Sequence, residues 1–255
     1  MDKDIVPELL ESIQEQFNQR TYDSKKLKMA INKLRNKKAS YLDVNDFAIE
    51  IGNILADVLS KNITVDVLPD GKMYFNIADR VLNSTMKNNH SLISDFAVDV
   101  QTQLNHEAGL RLKGQAPELN QDRIDGIINR VASENDFDAV KWILDDPIIN
   151  FSQSVVDDVI RTNVDFHFEA GLAPKITRRV SGHACDWCKR LAGTYNYHEE
   201  PADIYRRHER CRCTVEYNPK DSRGIQNSHT KEWRSKRQQE KIKQRKTMNL
   251  RKERQ

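Results

Sequence analysis

Long apolar runs are missing from this sequence. Nowhere do about 18 apolar residues follow one another, the length a membrane-crossing helix needs, so no membrane anchor is expected. The first residues, Met1-Asp2-Lys3-Asp4, are acidic and lead into an amphipathic stretch, so no signal peptide is expected either. Catalytic signatures are equally scarce. There is no H-E-x-x-H, no Walker loop and no G-x-S-x-G, and the seven histidines are scattered. No internal repeat is visible, no βαβ pattern frames a redox motif, and no helix-turn-helix places a recognition helix. The expectation is a protein that is not an enzyme and takes no small-molecule substrate.

What is present is concentrated. All four cysteines lie between residues 185 and 213, as Cys185-Asp186-Trp187-Cys188 and Cys211-Arg212-Cys213, with His208 three positions before the second pair. Thiolates are soft ligands that suit Zn²⁺, and two pairs from separate segments can fill a closed tetrahedron, which makes a structural zinc site the leading expectation. Ordinary ribbons use two C-x2-C pairs about 15 to 20 residues apart. Here 22 residues intervene and the second pair is C-x-C. On an extended segment Cys211 and Cys213 share a face, so both can reach one ion. His208-x2-Cys211 is the rival pair, which leaves Cys213 in the core or beside the ligands. A disulfide, which needs an oxidising compartment, inert buried thiols and a Cys nucleophile served by a His base are the competing readings. A reducing, intracellular setting keeps the thiols available for metal.

With 38% hydrophobic and 31% charged residues the chain can bury a modest core, and its length suggests one or two domains. Residues 1–170 read as a helical domain. Ile5, Leu9, Ile13 and Phe17 recur at helical spacing, as do Leu27, Ile31 and Leu34, then Phe47, Ile51, Ile54, Leu55 and Val58 after a cap at Asp43. Leu68-Pro69-Asp70-Gly71 predicts a turn, and with it a hairpin over residues 63–75. Asn120 caps a helix carrying Ile124, Ile127, Ile128 and Val131. A short helix through Val140, Ile143 and Leu144 closes at Pro147, and a last one runs through Val155, Val156, Val159 and Ile160 to about Phe168.

After Gly171 and Pro174 the period changes. Alternation at Ile176, Arg178 and Val180, at Thr194 to His198 and at Thr214 to Tyr217 predicts three short strands, with a helical turn or two over residues 201–208. Residues 171–218 thus read as a zinc-binding α+β module, too small to fold by burial alone without its metal. Its nine cations, among them Arg178, Arg206, Arg207 and Arg212, either balance the thiolates or grip phosphates. The acid pairs Asp145-Asp146, Asp157-Asp158 and Glu199-Glu200 read as exposed faces or helix ends. The fold class is therefore mainly α: a helical N-terminal region, a small zinc-stabilised α+β module and a basic tail.

That tail, residues 219–255, is expected to be disordered or a solvated helix. From His229 onward eleven Lys and Arg face three Glu, a net of +8, so the remainder of a chain whose total is +3 carries −5. Arg234, Lys236, Arg237, Lys241, Lys243, Arg245, Lys246, Arg251, Lys252 and Arg254 are the expected contacts to double-stranded DNA, through phosphates and without sequence reading, since no aromatics are interleaved to read bases.

His183-Ala-Cys185-Asp-Trp-Cys188-Lys-Arg-Leu191-Ala-Gly193-Thr-Tyr195, continuing to Tyr205-Arg-Arg-His208-Glu-Arg-Cys211-Arg-Cys213-Thr-Val215, resembles the C-terminal signature of phage minor head proteins. These are head morphogenesis proteins related to phage Mu F, especially the minor capsid proteins of tailed phages of Gram-positive bacteria. Segments Leu68 to Tyr74, Pro117 to Ile124 and Asn150 to Ser154 are also similar to members from such phages. Glu209 follows the motif histidine where many relatives carry Pro. The resemblance implies a low-copy virion protein, inside the procapsid near the portal protein and other head proteins, present in the host cytoplasm during assembly. Rival classes are a zinc-supported nuclease, which needs an open metal position and a base such as His198 or His208, and a host-directed DNA-binding regulator.

Overall fold

Periodic apolar residues become helices wherever a polar cap lets them start. In the computed structural model, which describes residues 4–182, 184–222, 240, 241, 243 and 244, helix α1 (Val6–Asp23) buries Val6, Leu9, Ile13 and Phe17. Ser24 ends it and caps α2 (Lys25–Arg35), its hydroxyl accepting the Leu27 N–H at 3.3 Å. Helix α3 (Tyr41–Asn62) starts one turn earlier than a cap at Asp43 requires. Ser40 is the capping residue, and the Asp43 carboxylate reaches back to its N–H at 2.9 Å, satisfying a donor that has no partner within the helix.

No hairpin forms over residues 63–75. Val67 and Leu68 both donate to the Thr64 carbonyl at 3.1 Å, Pro69–Gly71 makes a 3₁₀ turn, and Ile63, Leu68 and Met73 point into the core. Those three burials are spaced for a wrapped loop, not for the alternation a strand needs. A single helix α4 (Phe75–Glu107) follows, then α5 (Gln121–Val131), capped as expected by Asn120, whose side chain accepts the Arg123 N–H at 3.2 Å.

Pro147 opens a helix instead of closing one. Residues 137–144 form 3₁₀ turns, and α6 (Asp146–Glu169) begins with Pro147 in its first turn, where a missing N–H costs nothing. Helix α6 packs against α3 and α4, and Gly52 of α3 marks the close approach: a Cβ there would lie 2.8 Å from Ser152 Oγ and 3.0 Å from Ile149 Cα.

The C-terminal region supplies β1 (Lys175–Arg179), α7 (Asp186–Leu191), β2 (Gly193–Asn196) and β3 (Thr214–Tyr217), an antiparallel sheet in the order β2-β1-β3. Residues 201–208 form turns and no regular helix. In the register Ile176 opposes Tyr217 and Arg178 opposes Val215, so these four buried residues share one face. The boundary expected between residues 170 and 171 is not a boundary in packing. Ile176, Ile204, Tyr205, Val215 and Tyr217 belong to the same buried cluster as the helices, and Met1–Ser222 forms one unit. A segment too small for its own core has borrowed one. Arg223–Gln255 forms a separate unit, of which Glu240, Lys241, Lys243 and Gln244 are described, helical and exposed.

Gly52→Ala tests the close approach. Alanine gains about 1 kcal/mol of helix propensity, but overpacking against backbone costs about 1–3 kcal/mol. Net destabilisation in urea unfolding is expected, relieved when Ser152→Gly is added.

Candidate metal centre

Two local structures bring the thiols together. Cys185 caps α7, its Sγ accepting the Cys188 N–H at 3.5 Å, and one helical turn returns Cys188 to the same side. In the second segment Cys211 N donates to His208 O at 3.1 Å across a turn in which Arg210 takes φ 55°, a left-handed conformation that reverses the chain. Cys211 and Cys213, in the segment that leads into β3, are buried beside Cys188, and the three thiols form a small cluster of their own with Ala184 and Trp187 against it.

His208 Nε2 lies 3.3 Å from Cys185 Sγ and 3.1 Å from Cys188 Sγ, while Cys188 Sγ lies 3.8 Å from Cys211 Sγ. A tetrahedral site with metal–sulfur bonds of about 2.3 Å separates its sulfurs by about 3.8 Å. Two sets of donors, Cys185, Cys188 and His208, and Cys188, Cys211 and Cys213, each fall within 4.8 Å, and Cys188 belongs to both. All four cysteines are free thiols. The cluster could hold a metal ion, with donors fit for a soft or borderline one. The histidine is also oriented for it: Nδ1 lies 2.6 Å from the Glu209 carbonyl, so it carries the proton and donates, leaving the Nε2 lone pair toward the thiols.

The thiols differ in ease of ionisation. The Cys188 N–H lowers the pKa of the Cys185 thiol. Burial, together with the neighbouring Cys213 and Cys211, raises that of Cys188. Burial pushes Cys211 up as well, but the Cys213 N–H and the Arg207 charge outweigh it, and its pKa falls.

Helix α6 holds the second segment in place. Arg207 makes a two-pronged ion pair with Asp157, Nε to Oδ2 at 2.5 Å and Nη2 to Oδ1 at 2.8 Å, and its Nη1 donates to Cys213 O at 2.7 Å. Asp146 accepts from Arg212 Nη2 at 2.9 Å and from the Arg210 N–H at 2.6 Å, and Asn150 donates to His208 O at 3.3 Å. The acid pairs are thus not simply exposed faces. Asp146 is a helix end, yet 9% exposed, and Asp157 is 1% exposed. No local signal marks Asp157, since its neighbour Asp158 has the same sequence context and pairs with Arg123 at 2.9 Å. Arg178, which the strand alternation put in line with Ile176, is buried with Nη2 3.9 Å from both Cys188 Sγ and Cys211 Sγ.

Of the expected DNA contacts, Lys241 and Lys243 are exposed, while Arg234, Lys236, Arg237, Arg245, Lys246, Arg251, Lys252 and Arg254 lie outside the described residues. No helix among the described residues is long and apolar enough to cross a membrane. No family model, curated protein or solved structure matches the chain.

Asp157→Ala strands a buried guanidinium and should cost about 3–5 kcal/mol of unfolding free energy. The exposed Arg179–Glu216 pair is the control, since Glu216→Ala should cost no more than about 1 kcal/mol.

Proposed function

We propose that this chain is a minor head protein of a tailed phage. It acts inside the procapsid beside the portal, carries one structural Zn²⁺, and contacts packaged DNA without sequence preference. The observation that carries the reading is the meeting of Cys185, Cys188, His208, Cys211 and Cys213 in one cluster. These are the residues on which the likeness to phage minor head proteins rests. The basic segment after His229 supports it independently, because a protein that meets DNA of arbitrary sequence needs phosphate contacts and no base readout. Portal and other head proteins are its partners in this reading, and the virion its destination.

The oriented His208 favours three thiolates and one imidazole, from Cys185, Cys188, Cys211 and His208, with Cys213 packed beside them. Bound there, the ion would tie α7 to the strand-leading segment. A site with four protein ligands keeps no position for water, which is why a structural role is preferred over a zinc-supported nuclease.

Purified under reducing conditions, the protein should contain about one zinc per chain. Cys185→Ser, Cys188→Ser, Cys211→Ser and His208→Ala should each lower zinc content, and Cys213→Ser should retain it. Metal analysis finding no zinc in the wild-type chain overturns the reading. Retention by His208→Ala with loss by Cys213→Ser would assign four thiolates instead.

For DNA, log affinity should fall with log salt at about −0.9 per phosphate engaged, so six engaged cations weaken binding roughly a thousandfold between 50 and 200 mM. The truncation must follow Ser222, because Ser222 is buried and its Oγ donates to Tyr217 OH at 3.2 Å. Removing residues 223–255 should flatten the slope and leave zinc unchanged. An unchanged slope would show the charge run to be solvated surface only, and cleavage of plasmid with added divalent metal would favour the nuclease.

A further inference from the structure

Arg178 is a cation in the wrong place for an ordinary ion pair. It is 2% exposed, and among the described residues no carboxylate lies within ion-pair distance of it. Its Nη1 donates to the carbonyl of Ile204 and, at 3.5 Å, to that of Asp203, while its guanidinium lies 5.5 Å over the Trp187 ring. Carbonyls and a ring solvate the group without cancelling its charge. Its Nε has no partner. An arginine does not shed its proton inside a protein, and a buried charge without a counter-charge is heavily penalised.

The candidates for the missing anion are the sulfurs. Nη2 sits 3.9 Å from Cys188 Sγ and 3.9 Å from Cys211 Sγ, the two thiols that are themselves 3.8 Å apart. Four neighbouring arginines have carboxylate partners, Arg207 with Asp157, Arg212 with Asp146, Arg179 with Glu216 and Arg206 with Asp203, and Arg178 does not. Zn²⁺ with three thiolates and a neutral imidazole carries −1, which one guanidinium cancels; four thiolates carry −2.

We infer that Arg178 is the built-in counter-ion of a net-anionic metal–thiolate centre. It shares N–H···S contacts between Cys188 and Cys211 and makes metal occupancy and the docking of strand β1 mutually dependent. This rests on the metal reading above. With the ion bound, a net-negative metal–thiolate cluster stands 3.9 Å from the buried guanidinium; with the ion removed, that fixed counter-charge is lost. Arg178 therefore favours the loaded state over the empty one, beyond whatever its packing contributes to both.

The experiment compares the full-length wild type with Arg178→Met, which keeps length and removes charge, and Arg178→Lys, which keeps charge. Zinc affinity is measured by competition with a chromogenic chelator at fixed pH. Thermal unfolding is followed with and without zinc, and the thiolate-to-cobalt absorption is recorded on Co²⁺-loaded protein. Arg178→Met should bind zinc about 10- to 100-fold more weakly, in the range of other groups that orient metal ligands. It should also move the cobalt charge-transfer band to lower energy, because sulfur electrons no longer feel the cation, and leave the empty protein at least as thermally stable as the wild type. Arg178→Lys should recover part of the affinity. Equal zinc affinity in wild type and Arg178→Met, or equal loss of stability with and without zinc, overturns the proposal and reduces Arg178 to a packing residue. A wild-type chain without zinc fails at the first measurement instead, which identifies the metal reading as the one at fault.

Discussion

The ion pair between Asp157 and Arg207 joins the two halves of this molecule. Both side chains are almost completely shielded from water, and both prongs of the guanidinium meet the carboxylate while its remaining amine donates to the Cys213 carbonyl. A buried pair repays its desolvation only when its hydrogen-bonding groups are satisfied, and here the satisfaction comes from three directions at once. Because Asp157 lies on α6, which packs against α3 and α4, the cysteine-bearing segment is held by the centre of the helical body. Asp146 and Asn150 line the same helix and extend the attachment along the chain from His208 to Arg212.

This attachment changes how a metal would act in the fold. A free-standing module of this size would owe its folding to the ion. Here Ile176, Val215 and Tyr217 already share the helical core, and Tyr217 OH lies 2.6 Å from the buried His167 Nδ1. A metal bound here would have a narrower task, closing the corner formed by α7 and the His208–Cys213 turn, where Cys188, Cys211 and Cys213 cluster with Ala184 and Trp187 against them. Sulfur packing alone is a thin basis for order, and bonds to an ion would supply what apolar area does not.

The charges of the region sort in the same way. Read along the chain, the arginines around the cysteines look like one basic patch. In the structure Arg207 and Arg212 face inward to α6, Arg178 faces the sulfurs, and Arg179 and Arg206 pair with carboxylates at the surface. Few of them are left for phosphate, and the proposed contact with DNA therefore falls to the segment after His229, where like charges lie too close in sequence to neutralise one another.

Local patterns were enough for the helical stripes of α1, α3, α5 and α6, the Asn120 cap, the three strands and the set of sulfur and imidazole donors, because apolar period, capping chemistry and ligand type are properties of neighbouring residues; on α2 they misplaced Ile31, which is exposed while Ala30 is buried. They were not enough for the loop at residues 63–75, where three apolar side chains wrap inward although a turn signal sits between β-formers, nor for Pro147, which fits either end of a helix until the preceding 3₁₀ turns are seen. Only tertiary structure decided that Asp157 is buried and Asp158 is not, that Arg178 aims at sulfur, and that the C-terminal sheet shares the helical core. Each of these depends on which distant surface a side chain meets. Desolvation and charge balance are settled by that meeting and leave no trace in the spacing of residues along the chain.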